Sequence, residues 1–486
     1  MVGDGEMQLL DVSGSWTNRD RQRHHEFAIQ VPERAEELWI RFRWSPAEVG
    51  SPVQRNLLTM SVFDPGGFRG AAVRWRADQE LVMGEMSATP GLLAGPILPG
   101  QWTIVVDAHE ILNDGLTSGR LGFRLEAATR KAGVGNAGNV KALGFDGLPP
   151  TRKPSREGPR WYRGDLHSHT VHSDGNTTVA DRARAAAQRG LDFMAITDHN
   201  TISHTRADDP WPEELSRIRG SEITTFHGHL NILGLGDWID WRNERRGGGA
   251  AGILAQAARQ KAVVVINHPN AYGNPACTGC HWDFARVDYS QIDAIEVWNG
   301  RWAAPENDNE GALALWTDLV QAGLHPTALS GIDSHSAEDD QVSGLPYTHV
   351  HAADPAEASI LDAIRRGRVY LSSGPSLTFR ARGSDGTEVS VPGDRLPTSG
   401  PFDLLVDIAD LATRATLWFV ADGTMKALDV LEPPGRNLQY TDLFAERWWR
   451  LELRQGGEPV GDLLLLTNPV HAGDADRPVD GAHDRS

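Results

Sequence analysis

The chain has 486 residues, of which 40% are hydrophobic and 23% charged, and its formal net charge is −18. This length and composition are typical of a soluble globular protein of two to four domains with ample residues for a core. The negative charge disfavours adhesion to extended nucleic acid, which depends on Lys and Arg against phosphates. We therefore expect a small-molecule substrate, with the end of a short oligonucleotide as the alternative.

The start of the chain predicts neither export nor a membrane anchor. Residues 1–8 are polar and acidic, and they lack the basic and apolar regions of a secretory signal. No apolar run approaches the ~20 residues that a membrane helix requires. We expect a cytoplasmic protein without a membrane partner.

The first region of the chain has the pattern of a β-sandwich. Residues 1–130 alternate apolar and polar residues at 37–44, 57–63 and 101–106, with Gly and Pro turns between these runs. Residues 131–160 are rich in Gly, Pro, Lys and Arg and show little periodicity, which is typical of a linker.

Strand and helix patterns alternate over residues 161–375. Apolar runs at 191–197, 261–266 and 326–332 have the composition of strands buried on both faces, as in parallel sheets. Helices are predicted at 179–189, 252–261, 309–322 and 354–366, the last with Asp354 as N-cap and Pro355 as first helical residue. This alternation predicts a parallel α/β domain with barrel-like closure.

A second β region follows at 376–471. Its predicted strands lie at 402–408, 415–420 and 448–453. Residues 472–486 are polar and predicted to be disordered.

Nine potential metal ligands lie in the α/β region, mostly just after an apolar run. They are His167, His169, Asp174, His199, Glu222, His229, His268, Asp333 and His335. Active-site residues gather at the carboxyl ends of barrel strands, so we expect these side chains to meet. The strand period of two places both imidazoles of the triplet at 167–169 on one face. Mixed imidazole and carboxylate ligation fits Zn, Mn or Fe, and such ions activate water for hydrolysis.

Several motifs in this region resemble those of the PHP (polymerase and histidinol phosphatase) superfamily. They are R-G-D-L-H-S-H-T-V-H-S-D-G from residue 163, A-I-T-D-H ending at 199, N-H-P at 267–269 and G-I-D-S-H at 331–335. Wider features are similar to the CehA/McbA branch, named for a carbaryl hydrolase. These include residues 56–70 and 228–234, C-T-G-C-H-W at 277–282 and E-V-W-N-G at 296–300.

The resemblance implies a distorted (β/α)7 barrel with two or three divalent ions at the strand ends. One ion would take His167, His169, Glu222 and Asp333; a second would share Glu222 and add His229 and His268; a third would take Asp174, His199 and His335. His227 is a rival to His229, and Asp174 stands where some members of the superfamily have His.

Other polar residues near these motifs are candidates for the pocket. Besides Glu222 and Asp333, the predicted catalytic set contains Asp198, which follows a strand and is expected to orient an imidazole, with His172 and Arg301. Asn200, His204, Asn270 and Asn299 are further candidate lining residues. An ordinary solvated role is the alternative for Arg301 and His204, and His349 and His351 are expected to be structural.

The chain has two cysteines, in the sequence C-x-x-C-H at 277–281. This spacing is that of c-type haem attachment, a structural zinc site or a redox dithiol, and the prediction favours a plain loop pair.

The predicted activity is hydrolysis by metal-bound hydroxide. Most functions in the resembling superfamily are phosphatases or phosphodiesterases, which implies a phosphoester substrate, small and possibly anionic. The alternatives are a carbamate, ester or amide hydrolase of the carbaryl hydrolase type and a non-enzymatic, metal-stabilised binding module.

Overall fold

The computed structural model describes residues 7–112, 120–130, 158–206, 209–242, 249–397, 400–457 and 461–473. The predicted linker at 131–160 lies outside these residues except for 158–160, and so does the predicted disordered tail at 472–486 except for 472–473. None of the helices in the described ranges is long and apolar enough to span a bilayer.

Two antiparallel sheets pack face to face in the amino-terminal region. Its strands are β1 (Met7–Thr17), β2 (Arg23–Val31), β3 (Glu37–Ser45), β4 (Glu48–Val49), β5 (Ser51–Arg55), β6 (Leu57–Asp64), β7 (Gly67–Ala72), β8 (Asp78–Gly84), β9 (Gly100–Glu110) and β10 (Arg120–Arg130). The sheet orders are β1-β10-β3-β8 and β2-β9-β6-β7. Alternate residues of β3, such as Ile40 and Phe42, share one buried core with Trp102 and Ile104 of β9. This packing is sandwich-like, as predicted.

The central region contains nine strands and the four α-helices of the described chain. The strands are β11 (Arg160–Asp165), β12 (Phe193–Ile196), β13 (Ser216–Thr224), β14 (His229–Leu233), β15 (Val263–Ile266), β16 (Ala294–Asn299), β17 (Thr327–Gly331), β18 (Tyr347–Ala352) and β19 (Val369–Ser372). The helices are α1 (Val179–Gln188), α2 (Ala251–Arg259), α3 (Asn309–Gln321) and α4 (Glu357–Arg365).

The central sheet is mixed, which corrects the prediction of a parallel sheet. Strands β11, β12 and β13 are mutually parallel, as are β15, β16 and β17, but β14 runs antiparallel to both of its neighbours. The reason is the short turn at 225–228, because such a turn joins only antiparallel strands. Strand β18 is antiparallel to β11, and Thr348 on β18 hydrogen-bonds to Ser330 on β17.

Two predicted element boundaries are wrong for the same local reason. Helix α4 begins at Glu357 and not near Pro355, because the Asp354 carboxylate accepts a hydrogen bond from the N–H of Ala356 and forms a turn there. Strand β11 ends at Asp165, before the predicted H-x-H segment, where the Asp165 carboxylate accepts from the N–H of His167. The side-chain oxygen competes with regular pairing in both places.

The carboxyl-terminal strands extend the central sheet. They are β20 (Ser376–Gly383), β21 (Glu388–Val389), β22 (Arg395–Leu396), β23 (Gly400–Ala409), β24 (Ala415–Ala421), β25 (Thr424–Leu431), β26 (Asn437–Ala445), β27 (Trp448–Gln455), β28 (Leu463–Thr467) and β29 (Val470–Ala472). Strand β28 pairs with β19, so the path β19-β28-β27-β24-β25 continues the central sheet, and a separate sheet β21-β20-β23-β26 shares a buried core with it.

One asparagine joins this extension to the central strands. The Asn468 side chain accepts from the N–H of Ala328 at 2.7 Å and donates to the Ala328 carbonyl at 3.0 Å, and it also donates to the carbonyl of Val369 at 3.1 Å. It therefore satisfies backbone groups of both β17 and β19.

A buried arginine ties helix α1 to the loop that follows β17. The Arg182 side chain is fully buried and donates to the Ser334 hydroxyl, the Ser336 carbonyl and the Asp340 carboxylate. A second arginine, Arg189, lies 3.1 Å from the same carboxylate. This network fixes the loop that carries Asp333 and His335.

Replacing Arg182 by Met should lower the free energy of unfolding by about 3 kcal/mol, because the change leaves the buried Asp340 carboxylate with one partner fewer. Urea unfolding followed by circular dichroism measures the effect. The matched control is Arg184→Met on the same helix, which removes an exposed pair with Asp181 and should change stability little. Equal losses in the two variants would contradict a structural role for the buried pair.

Candidate metal centre

All nine predicted ligands lie in one buried cluster. They come from the loop after β11 (His167, His169, Asp174), the segment after β12 (His199, which forms an isolated bridge to Glu222), β13 itself (Glu222), the start of β14 (His229), the loop after β15 (His268) and the loop after β17 (Asp333, His335). Most of these positions follow the carboxyl end of a strand, where a turn frees the side chain from the sheet.

The Glu222 carboxylate lies at the middle of the cluster and is fully buried. Its Oε2 is 3.1 Å from Nε2 of His167 and 3.2 Å from Nε2 of His169. Its Oε1 is 2.9 Å from Nδ1 of His229 and 3.3 Å from Nε2 of His268. Nδ1 of His199 is also 3.1 Å from Oε2, so one carboxylate contacts five imidazoles from four separate segments and is a candidate bridging ligand.

Two aspartates complete the acidic part of the cluster. Asp333 Oδ1 lies 3.0 Å from Nε2 of His169 and 3.3 Å from Nε2 of His167. Asp174 faces Nε2 of His199 at 3.5 Å and Nε2 of His335 at 3.4 Å. The side chains of Asp333 and His335 are 22% and 37% exposed, so the cluster opens to solvent on this side.

The electrostatics of the cluster couple carboxylates to imidazoles. Burial opposes ionisation of Glu222, but the charges of His167 and His199 outweigh it and hold the pKa of Glu222 well below its usual range. Burial likewise opposes protonation of His335, yet Asp174 outweighs it and raises the pKa of His335 to about 10. In the absence of cations, protons on imidazoles therefore balance the acidic charge.

These residues fit a group of divalent cations. The candidate ligand atoms form several sets whose members lie within 4.8 Å of one another, including the sets around Asp333 and around Asp174. Among the described residues, the buried Nδ1 atoms of His169 and His268 have no hydrogen-bond partner, although buried polar atoms are normally paired. Mixed imidazole and carboxylate donors suit borderline divalent metals.

The rival ligand His227 lies outside the cluster. Its Nδ1 is 2.9 Å from the exposed Asp283 carboxylate, while His229 faces Glu222. The Nε2 of His229 is bonded at 2.8 Å to the carbonyl of Thr278, which leaves Nδ1 toward the acidic centre.

The two cysteines form a disulfide, Cys277–Cys280, which the prediction of a plain loop pair did not include. A turn at Gly279, with φ of +73°, brings the two Cα atoms to 5.7 Å, within the range that a disulfide bridges. The Sγ of Cys280 is 4.0 Å from Nδ1 of His229. The bonded pair therefore packs against one candidate ligand.

Glu296 belongs to the site and was missed as a site residue. It is 2% exposed on β16, and its Oε1 lies 3.0 Å from Nδ1 of His167. Its Oε2 accepts from the N–H of His268 and from the Asn299 amide. Because this contact occupies Nδ1 of His167 and turns Nε2 toward Glu222, Glu296 orients a candidate ligand.

Asp198 and His172 are buried beside the cluster and are not among its candidate ligands. The Asp198 carboxylate accepts from the Thr170 N–H and hydroxyl and from Ser173, so it braces the loop carrying His169. The imidazole it faces is that of His204, at 3.3 Å, which is not one of the nine candidate ligands. His172 is buried with Nδ1 2.7 Å from the Ser203 hydroxyl, and burial lowers the pKa of this imidazole.

The remaining predicted pocket residues divide between the cluster edge and the surrounding structure. Asn299 lies at the edge, where its amide is 3.3 Å from Asp333. Arg301 is exposed, and no hydrogen bond or ion pair of the described residues joins its side chain to the cluster. The others bond elsewhere: Asn200 to Thr224, His204 to the Gly220 carbonyl, and Asn270 to Asp308. His349 stacks on Tyr370 and His351 lies against Trp161.

A buried carboxylate lies beneath the His167 loop. Asp165 Oδ1 accepts from the N–H groups of His167 and Ile332, but Oδ2 is buried without a partner among the described residues. Burial raises the pKa of Asp165 to about 6, with Arg189 offsetting only part of the effect. Because the pKa of Asp165 is raised in the folded state, the ionised carboxylate destabilises the fold. This destabilisation is complete above pH 6 and is lost as the pH falls from 6 toward 4.

Replacing Asp165 by Asn should stabilise the chelator-treated protein at pH 8 by about 1 to 2 kcal/mol. The raised pKa of Asp165 corresponds to a loss of about 3 kcal/mol in the free energy of unfolding when this carboxylate is ionised. The expected gain is smaller than this, because the Asn side chain would leave one buried amide N–H unpaired. Urea unfolding at pH 8 and pH 5 measures the difference. We expect the gain to shrink or reverse at pH 5, and a gain that is independent of pH would contradict the assigned charge.

Sequence comparisons find two curated relatives over short stretches, and no protein-family model matches the chain. An 80-residue stretch is 41% identical to the 5′-3′ exoribonuclease Rnm of Escherichia coli (strain K12), covering 15% of this chain and 26% of that protein. A 78-residue stretch is 35% identical to the phosphoribosyl 1,2-cyclic phosphate 1,2-diphosphodiesterase of Eggerthella lenta, covering 15% and 30%. The chain thus spans less than a third of either relative.

Among solved structures, a two-domain protein from Bacteroides vulgatus that contains a predicted PHP-like metal-dependent phosphoesterase aligns with this chain. The alignment covers 67% of this chain and 100% of that one, with a TM-score of 0.38 and 17% sequence identity.

Proposed function

We propose that the chain is a metal-dependent phosphoesterase of the PHP type that acts on a small substrate. The observation that carries the proposal is the buried cluster, in which Glu222, Asp174 and Asp333 face six imidazoles. The two curated relatives, a diphosphodiesterase and an exoribonuclease by name, support phosphoester cleavage.

The chain's own residues divide the work in this proposal. Glu222 would be shared by two ions. His167, His169 and Asp333 would hold one of them and His229 and His268 the other, while Asp174, His199 and His335 would hold a third. Divalent ions of Zn, Mn or Fe would supply a nucleophile from water at neutral pH and offset charge on the scissile group. The exposed side near Asp333 and His335 admits the substrate.

The proposal extends to the architecture. We propose that residues 161–375 form a distorted (β/α)7 barrel, between an amino-terminal sandwich at 1–130 and a β domain at 376–471. The contact between Ser330 and Thr348 supports closure, because it brings β17 at one end of the strand series against β18 at the other.

A hydrolysis screen tests the phosphoesterase assignment. The purified protein is loaded in turn with Zn, Mn and Fe and offered p-nitrophenyl phosphate, bis-p-nitrophenyl phosphate and 1-naphthyl N-methylcarbamate. We expect metal-dependent release of p-nitrophenol from at least one phosphoester. Cleavage of the carbamate alone would replace the proposal with the activity that the CehA/McbA resemblance implies.

An Asp333→Asn variant controls for contaminating activity. Loss of one carboxylate ligand should lower kcat/KM by at least about 100-fold while the melting temperature of the chelated protein stays near that of wild type. The matched control is Asp283→Asn, which removes the exposed partner of His227 and should leave turnover unchanged. If the wild-type protein shows no turnover and Asp333→Asn lowers its stability, the metal-stabilised binding module would be favoured.

Glu296→Gln should weaken metal binding by about 10- to 100-fold, because the neutral amide holds His167 less firmly in its orientation. Competition with a chromogenic chelator measures the affinity. Unfolding by urea serves as the control, since Gln preserves shape and we expect little change in stability of the chelated protein. Unchanged metal affinity would exclude a positioning role for Glu296.

A further inference from the structure

A cleft with a volume of about 150 Å³ opens on the amino-terminal sheets. Trp44 and Trp75 form aromatic walls, and Leu57, Leu58 and Val73 contribute an apolar surface. A cavity of this volume accommodates one benzene ring. The size and the aromatic lining together select a single planar ring.

The same cleft carries positive charge in a chain whose net charge is −18. The guanidinium of Arg55 lies 5.7 Å from the ring centroid of Trp75. Arg74 donates to the Pro90 carbonyl, but its buried Nε has no hydrogen-bond partner among the described residues. One exposed carboxylate, Glu48, also lines the cleft, so arginines outnumber acids by two to one.

The cleft adjoins the candidate metal centre at two points. Trp75 Nε1 donates to Asp174 Oδ2 at 2.5 Å, and the Trp75 side chain is 38% exposed. Thr278 also lines the cleft, and its carbonyl is bonded to His229. A molecule in the cleft is therefore separated from two candidate ligands by single residues.

We propose that this cleft binds the leaving-group side of the substrate, and that the preferred leaving group is one aromatic ring bearing a negative charge. The inference rests on the proposed phosphoesterase function for the reaction itself. Trp44 and Trp75 contact the ring faces, Arg55 and Arg74 face the anionic substituent, and the phosphoryl group lies beside Asp174. The amino-terminal sheets thereby set specificity for chemistry carried out by the central strands.

The test compares three monoesters that share a scissile group: 4-carboxyphenyl phosphate, phenyl phosphate and n-butyl phosphate. Release of inorganic phosphate gives kcat/KM for each, and ratios between variant and wild type cancel the intrinsic reactivity of the esters. Arg55→Gln should lower kcat/KM for 4-carboxyphenyl phosphate about tenfold relative to phenyl phosphate. The matched control is Arg76→Gln, which removes an equal charge from the same surface at a residue that does not line the cleft and should leave this ratio unchanged.

Two substitutions of Trp75 separate ring recognition from its hydrogen bond to Asp174. Trp75→Leu should lower kcat/KM for phenyl phosphate about fivefold relative to n-butyl phosphate. Trp75→Phe, which lacks the N–H but keeps a ring, should retain that ratio. Equal losses for all three esters in both variants would show that Trp75 acts only through Asp174 and would overturn its assigned contact with the ring.

A binding measurement separates failure of the cleft from failure of the phosphoesterase assignment. Isothermal titration of chelator-treated protein with 4-hydroxybenzoate should show binding that Arg55→Gln weakens about tenfold and Arg76→Gln does not. Such binding without turnover of any ester would support the cleft and refute the phosphoesterase. Turnover with unchanged ester ratios in the Arg55 and Trp75 variants would overturn the cleft and leave the phosphoesterase standing.

Discussion

The structure depends on how Glu222, Asp174 and Asp333 are held ionised among imidazoles in a largely buried space. An ionised carboxylate away from water costs several kcal/mol unless opposite charges and hydrogen bonds compensate. Here the compensation comes from residues that are distant in sequence, so the charge cluster and the ordered strand ends require each other. Protons on the imidazoles, or divalent cations in their place, close the electrostatic balance. The fold thus holds these three acidic groups near one another.

Much of the site could be predicted from the sequence because most candidate ligands follow or begin a strand, and several of these strands are apolar on both faces. That local pattern reveals His167, His199, His268 and Asp333 without knowledge of the pairing order. Glu296 was missed because it lies within the run A-I-E-V-W-N of β16; the motif at 296–300 was noted for its resemblance, but only Asn299 of that motif was predicted to line the pocket. Its signal was a single acid inside an otherwise apolar strand, and its role exists only once β16 lies near the His167 loop.

Contacts between regions were harder to predict than strands. The hydrogen bond from Trp75 to Asp174 joins residues 99 positions apart, and neither end carries a motif that specifies the other. The antiparallel direction of β14 was in principle readable from the short turn before it, but the apolar composition of its neighbours favoured a parallel sheet. The Asp165 side chain ends β11, and the Asp354 side chain delays the start of α4. Hydrophobic periodicity does not detect such side-chain hydrogen bonds.

The hydrogen bonds of Asn468 have a consequence for biogenesis. This residue satisfies the backbone of Ala328, 140 positions earlier, on the strand that leads into Asp333. Contacts of such separation close late in folding because they require a long loop to be ordered first. During synthesis, the strand end that presents Asp333 therefore stays incompletely anchored until residue 468 has emerged from the ribosome.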